Sequence, residues 1–285
     1  MKPISETNLI MRPDGSAYHI GLRPDQIPSK IISVGDPDRV ELVSRYFDRL
    51  DFKQHHREFV SHRGSYKGKD ILVISTGIGT DNVEIILTEL DALVNVDSKT
   101  RLPKKQKRCL TIVRVGTSGA LQRDIKVGSE VASIWGIGLD NLMNFYKKNS
   151  SPFEVEIGLG IQETANLDFV PYLASGSLML YERIGFDMIR GNTVTCPGFY
   201  APQGRKVRAK IAYPKLLKDL SRFRNEKFRI TNFEMETAAY YALGNLLGHE
   251  VLSVSGILLN RATNEFAKNP EAVVDALIRK VLERI

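Results

Sequence analysis

Apolar residues along the 285-residue chain come in short runs rather than in one long stretch. Near the N-terminus, "KIISV" is a β-branched run that stops at Gly35. Asp36-Pro37 follows and reads as a helix start, a cap residue with proline at the first helical position. "ILVIS" repeats the arrangement and turns at Gly77 and Gly79 into "TDNVEIILTELDALV", a helical pattern. "LTIVRVG" is a third run, leading into Gly116 and Gly119, and "VLSVSGILLN" is a late one. "PEAVVDALIRKVLERI" closes the chain as a helix with basic residues toward its C-terminal end. Strands alternating with helices predict an α/β fold, a single domain over 1–285. Its three layers would enclose a mixed central sheet, after a short N-terminal extension at 1–17.

Composition narrows the class. The chain is 42% hydrophobic and 26% charged, as a soluble globular protein is. Its net charge of +7 favours an anionic partner without choosing among nucleic acid, a membrane surface and small phosphates. Neither the two cysteines, Cys109 and Cys196, nor the five histidines fall in metal-ligand spacing. With no signal-like or membrane-length apolar segment, the expected location is the cytoplasm. "VDSKTRLPKKQKR" (96–108) concentrates six basic residues. It reads as a solvated loop, because no aromatic interleaves with the charges as base stacking would need.

In α/β sheets ligands collect where strands end. Gly35 and Arg39 follow the first strand, Arg114, Gly116 and Thr117 lie at the third, and Arg57 sits in "HHREF". Glycine admits a ligand to the backbone and arginine matches phosphate with a planar fork, so these residues together suit a phosphate dianion. Arg114 is the most telling, since a charge inside an apolar strand needs an anionic partner, carboxylate or ligand. The glycines match neither a dinucleotide fingerprint nor a P-loop. Further on, Thr231 and Glu234 fit a capping box before the apolar run that starts after "NFEMET". That leaves Glu236 unexplained. In extended chain Glu234 and Glu236 share one side, and a carboxylate there suits the vicinal diol of a ribose.

"YHIGL", "VGDPDRV", "HHREF", "STGIG", "RVGTSGAL", "PGFYAPQGR", "NFEMET" and "GILLNRAT" occur in that order between residues 18 and 264. In these pieces the chain resembles the nucleoside phosphorylase-I family, and within it the uridine phosphorylases. The resemblance implies a phosphate site of Gly35, Arg39, Arg114 and Thr117, completed by Arg57 of a neighbouring subunit. It implies a ribose site of Met235 and Glu236, with His19 reaching across to the 5′-hydroxyl. Phe199 would pack on base and sugar, Gln203 and Arg205 would read the uracil edge, and Leu258 and Leu259 would line the base pocket. Glu58 and Ser75 match part of a monovalent-cation site found at the dimer interface of some relatives.

The implied reaction is uridine plus phosphate giving uracil and ribose 1-phosphate, with Arg114, Arg205, Gln203 and Glu236 as catalytic groups and no metal or organic cofactor. The implied assembly is a homodimer, or a homohexamer built from dimers; the long loop at 96–108 favours the dimer. Pro202 departs from the glycine many relatives carry before the glutamine. Asn260 and Arg261 stand where purine-specific relatives favour an acid. The alternatives are a purine nucleoside phosphorylase, a nucleosidase of the same fold, and, from another class, a basic nucleic-acid-binding protein.

Overall fold

The computed structural model describes residues 2–226 and 228–285. The strands are β1 (Lys30–Val34), β2 (Arg49–His56), β3 (Phe59–Tyr66), β4 (Lys69–Ser75), β5 (Thr111–Ala120), β6 (Glu130–Gly138), β7 (Tyr172–Ser175), β8 (Ile189–Thr195), β9 (Arg224–Asn225), β10 (Phe228–Arg229), β11 (Asn232–Glu234), β12 (Glu250–Asn260) and β13 (Glu265–Phe266). The helices are α1 (Asp38–Ser44), α2 (Thr80–Asn95), α3 (Pro152–Ala165), the single turn α4 (Leu178–Leu180), α5 (Leu216–Arg222), α6 (Thr237–Leu247) and α7 (Pro270–Arg284).

Apart from the β9–β10 ribbon, the strands form one mixed sheet in the order β13-β12-β6-β8-β11-β5-β1-β4-β3-β2, with β7 on β6. Its middle, β4-β1-β5-β12, is parallel. These strands are apolar on both faces, as sheets covered on both sides must be. Ile31, Leu72, Ile74 and Ile112 pack under α2 and α6. Ile32, Val34, Ile71, Val73, Val113 and Val115 pack under α1 and α7. The three-layer arrangement expected from the alternation is therefore present. The sheet also curls: β5 pairs with β12 along its length and with β11 at its far end, closing a ring of β5, β12, β6, β8 and β11.

That closure corrects one expectation. Gly116 and Gly119 do not turn the chain into a helix; β5 runs through both to Ala120. Their lack of a side chain serves close packing. A Cβ on Gly116 would fall on the Arg114 guanidinium, and one on Gly119 would lie 2.7 Å from Phe233 Cζ and 2.8 Å from Leu259 Cδ1. At α1 the sequence reading holds to within a residue, with Asp36 Oδ1 accepting the Asp38 N–H at 3.0 Å.

In the basic segment 96–108 four of the six cations, Arg101, Lys104, Lys107 and Arg108, donate to main-chain carbonyls. Arg101 donates to Ile4 at 2.7 Å, Ser5 at 3.0 Å and Leu9 at 2.5 Å. Lys104 donates to Val94 at 2.9 Å and Arg108 to Ile27 at 2.7 Å. The segment clasps the N-terminal residues to the end of α2.

Candidate active site

A cleft of about 840 Å³ opens where β1, β5, β11 and β12 end. Its floor follows the second half of β5. From Arg114 to Gly119, five residues of strand span roughly 16 Å. Charged groups gather at the Arg114 end, and Phe233 and Leu259 pack at the Gly119 end. Gly35, Arg39, Arg114, Thr117, Phe199, Gln203, Arg205, Met235, Glu236, Leu258 and Leu259 all line it. Eleven positions singled out from sequence, spread over 225 residues of chain, thus share one cavity.

Arg114 is 4% exposed. Its Nη2 meets Glu236 Oε2 and lies 3.0 Å from Glu234 Oε2, and Nη1 donates to Ser253 Oγ at 3.4 Å. The anionic partner it requires is thus supplied within the protein, by two carboxylates on the same side of the extended chain. Burial works against the Arg114 charge, but Glu234 and Glu236 outweigh it and hold its pKa above the ordinary value. With two carboxylates to one guanidinium, one negative charge is left over. Burial pushes Glu236 up to about 7; Arg114 opposes the shift and Glu234 adds to it. Glu236 Oε1 also accepts the Gly79 N–H at 2.8 Å, tying the glycine turn after β4 to the site.

Arg39 stands beside this cluster in a different state. It donates from Nη1 to the Val115 carbonyl at 3.3 Å. Among the described residues no carboxylate lies within 4 Å of its guanidinium. Burial lowers its pKa and the Arg114 charge lowers it further, against a smaller opposing pull from Asp36 and Glu236. Two guanidiniums face one region, and only one of them is neutralised by direct ion pairs. That is an environment for an anion.

Glu234 requires a correction. It makes no capping box with Thr231, whose hydroxyl bonds Asn192 and Asn232 instead. Glu234 ends β11, and α6 begins three residues later. Its carboxylate accepts the N–H of Glu236 at 2.9 Å and of Thr237 at 3.0 Å, and the Thr195 hydroxyl at 2.7 Å. It satisfies the free donors of the α6 start, but from outside the helix, while also bracing Arg114.

The other end of the cleft is made by a loop. Gln203 is 3% exposed, whereas Phe199 is 51% exposed. Arg205 Nη1 donates to the Phe199 carbonyl at 2.7 Å and to Gln203 Oε1. Its guanidinium lies 3.8 Å over the Phe199 ring and 5.9 Å from Phe233. Gln203 therefore meets Arg205 through its amide oxygen, which leaves its N–H₂ out of that contact, and both residues line the cleft. Pro202 lies within the single 3-10 turn Ala201–Gln203, and Gly204 after it takes a positive φ of 63°.

Two expected site residues lie outside the cleft. Arg57, φ 53°, is at the tip of the β2–β3 hairpin, its guanidinium 4.6 Å over the Tyr18 ring. His19 is next to Tyr18, held by Glu89 at 2.6 Å. They form a separate surface cluster. Of the cation pair, Glu58 lines the cleft, while Ser75 Oγ is buried and accepts the Val60 N–H at 2.8 Å. Sequence reasoning missed Glu89, Asn82, Ser118, Phe233 and Phe266. For Glu89 a signal existed: an acid on the otherwise apolar face of α2, where Ile86, Leu90 and Leu93 are buried.

Residues 30–284 match the family model of the phosphorylase superfamily. The chain is 31% identical over 260 residues to a uridine phosphorylase of Thermococcus kodakarensis, across 90% of this chain and 82% of that protein. It is 26% identical over 270 residues to a DeoD-type purine nucleoside phosphorylase of Geobacillus stearothermophilus, across 94% and 97%. Among solved structures it is similar to a Trypanosoma brucei nucleoside phosphorylase that shows uridine phosphorylase activity, with a TM-score of 0.90 and 26% identity over 97% of this chain and 98% of that one.

Proposed function

The chain belongs to the phosphorylase superfamily, in its nucleoside phosphorylase-I family, and on that footing we propose that it catalyses the reversible phosphorolysis of uridine to uracil and ribose 1-phosphate. The observation that carries this reading is the pairing of Arg39 with Arg114: a guanidinium without a carboxylate partner among the described residues beside one already paired, at one end of a cleft whose other end is lined by Gln203 and Arg205.

In this reading Gly35, Arg39, Arg114 and Thr117 hold the phosphate. Met235 and Glu236 hold the ribose, with Glu236 accepting from the 2′- and 3′-hydroxyls. Leu258, Leu259 and Phe199 enclose the base. The glycosidic bond breaks through an oxocarbenium-like state, as in glycoside hydrolysis, but phosphate takes the place of a protein nucleophile. The protein aligns the two reactants and stabilises the negative charge that develops on departing uracil. Arg205, donating toward a uracil carbonyl, does the latter. Gln203 holds Arg205 through Oε1 and offers its amide protons to the base edge. Phosphate is the co-substrate, and the chemistry calls for no organic cofactor or metal. The setting is nucleoside salvage in the cytoplasm.

His19 and Arg57, together on a surface outside their own cleft, are read as completing the cleft of a neighbouring subunit in a homodimer, or in a hexamer built from such dimers. Inactive Arg57→Ala protein mixed with inactive Arg39→Ala protein then regains part of its activity once subunits exchange. Hybrids that form without recovery would refute the shared site.

The purine reading is disfavoured at Asn260. Its amide donates to the Gln122 and Ile125 carbonyls at 2.8 and 2.7 Å, and its oxygen accepts the Ala262 and Thr263 N–H groups. It is a structural knot and offers no acid to a purine ring. The deciding assay follows base release from uridine, cytidine and inosine, each with and without phosphate. Phosphate-dependent cleavage of uridine is expected, with cytidine very poor because its amino group would meet the Arg205 donor. Phosphate-independent release would make the protein a nucleosidase, and inosine cleaved as readily as uridine would overturn the base assignment.

A further inference from the structure

Glu89 is 7% exposed on the face of α2 that otherwise buries Ile86, Leu90 and Leu93. A buried carboxylate is costly unless its oxygens are satisfied. Here both are. Oε1 accepts the His19 N–H at 3.0 Å, and Oε2 accepts the Ile20 N–H at 2.9 Å. Those contacts suffice to anchor the backbone. A further one does something more: Oε1 lies 2.6 Å from His19 Nδ1. A carboxylate already accepting on both oxygens meets the ring as an acceptor, so Nδ1 carries the proton and, in the neutral imidazole, Nε2 is a bare acceptor. The His19 carbonyl is held in turn by His56 Nδ1 at 2.8 Å, and the Tyr18 ring stands edge-on to the imidazole at 4.9 Å. Backbone, ring and tautomer are all set, while the His19 side chain stays 32% exposed.

We propose that Glu89 is a positioning residue for the reaction: it holds His19 as the Nδ1–H tautomer, so that Nε2 accepts the proton of the nucleoside 5′-hydroxyl in the adjoining subunit's cleft. The inference rests on the uridine phosphorylase reading above, and it adds a requirement, that the 5′-hydroxyl be a donor and the imidazole an acceptor. A carboxylate that only anchored the chain would carry no such requirement.

The test compares uridine with 5′-deoxyuridine, which lacks the hydroxyl. Glu89→Gln should lower kcat/KM for uridine about tenfold, the size of one lost hydrogen bond, and leave 5′-deoxyuridine within about twofold of the parent. His19→Ala should show the same pattern, and the double variant should be no worse than His19→Ala alone. Equal losses on both substrates would reduce Glu89 to a backbone anchor and overturn the proposal. A second measurement needs neither turnover nor a folded variant. In parent protein labelled with ¹⁵N-histidine, at about pH 8, His19 should show a protonated Nδ1 and an unprotonated Nε2, against the usual preference for Nε2–H. An Nε2–H tautomer in the parent would overturn the proposal even if uridine is cleaved. Failure to cleave uridine would strike the proposed function alone, with the nitrogen shifts still deciding what Glu89 does to His19.

Discussion

At one end of the cleft Arg114 projects from a strand paired with β1 and β12, 4% exposed and braced by two buried glutamates on a third strand and the turn beyond it. At the other end Arg205 follows a short turn and is held by its own neighbourhood: the Phe199 carbonyl, the Gln203 side chain and the Phe199 ring. The strand-built end gets its geometry from sheet register and from ion pairs inside the protein, so its groups serve stability and ligand at once. The loop-built end holds its side chains mainly by contacts within the loop, with Arg261 reaching in only to the Gln203 carbonyl at 3.3 Å, so its groups can be dedicated to ligand. Substitutions should therefore lose fold and activity together at one end, and activity alone at the other.

The largest effect is expected from Arg114→Ala. It leaves Glu234 and Glu236 buried together without their cation, and breaking such a cluster costs about 3–5 kcal/mol. Thermal unfolding should fall sharply, and turnover with it. An Arg114→Ala protein that melts like the parent would break the comparison at its strand-built end. Arg205→Ala is the counterpart. It should cost on the order of 3 kcal/mol in kcat/KM for uridine, by analogy with loss of one oxyanion donor, while the melting temperature stays close to the parent's. A loss concentrated in kcat identifies charge stabilisation; a loss concentrated in KM reduces Arg205 to an anchor.

The same contrast explains what could be read from the chain beforehand. Arg205, Gln203 and Phe199 were legible because their motif is contiguous, and the parallel strands were legible because runs buried on both faces are continuously apolar. Arg114 was legible as a charge inside an apolar run, but not its partners: Glu234 and Glu236 are more than a hundred residues away. Glu234 fitted a local capping pattern with Thr231, and tertiary contacts replaced that pattern with Thr195, Arg114 and the start of α6. Gly116 and Gly119 signalled a turn, because from sequence a glycine needed for close approach looks the same as one needed for a bend. Glu89 is marked in the sequence only as an acid on an apolar helix face, and its use becomes visible only with the chain at His19 and Ile20 in place.

The surplus carboxylate makes the strand-built end pH-sensitive. Burial raises Glu236 from an ordinary 4.5 to about 7, so the folded protein binds that proton more tightly than the unfolded chain does. Its contribution to stability is fully present below about pH 4.5 and is lost as pH rises through about 7. The whole effect is no more than about 3 kcal/mol at 1.36 kcal/mol per unit. Relative to Glu236→Gln, which cannot ionise, the parent should lose melting temperature between pH 5 and 8, measured at one protein concentration. A parent that holds level with the variant over that interval would mean that Arg114 outweighs burial and that Glu236 stays ionised. Glu234→Gln should destabilise more than Glu236→Gln, because its oxygens also satisfy the start of α6.

The smallest effect tests whether the loop-built end is as local as it looks. Phe199→Leu keeps the main-chain carbonyl that Arg205 bonds at 2.7 Å and removes only the ring face 3.8 Å from the guanidinium. A half-exposed cation–π contact contributes about 0.5–1 kcal/mol, so KM for uridine should rise roughly two- to fivefold with kcat and melting temperature little changed. The ring is 51% exposed, which is why the fold should not register its loss. The double variant Phe199→Leu with Arg205→Ala should be no worse than Arg205→Ala by more than the ring's own contact with the base, since the cation it steadies is gone. If Phe199→Leu alone matched Arg205→Ala, the ring rather than the hydrogen bonds would be organising the arginine. The loop-built end would then depend on packing, as the strand-built end does.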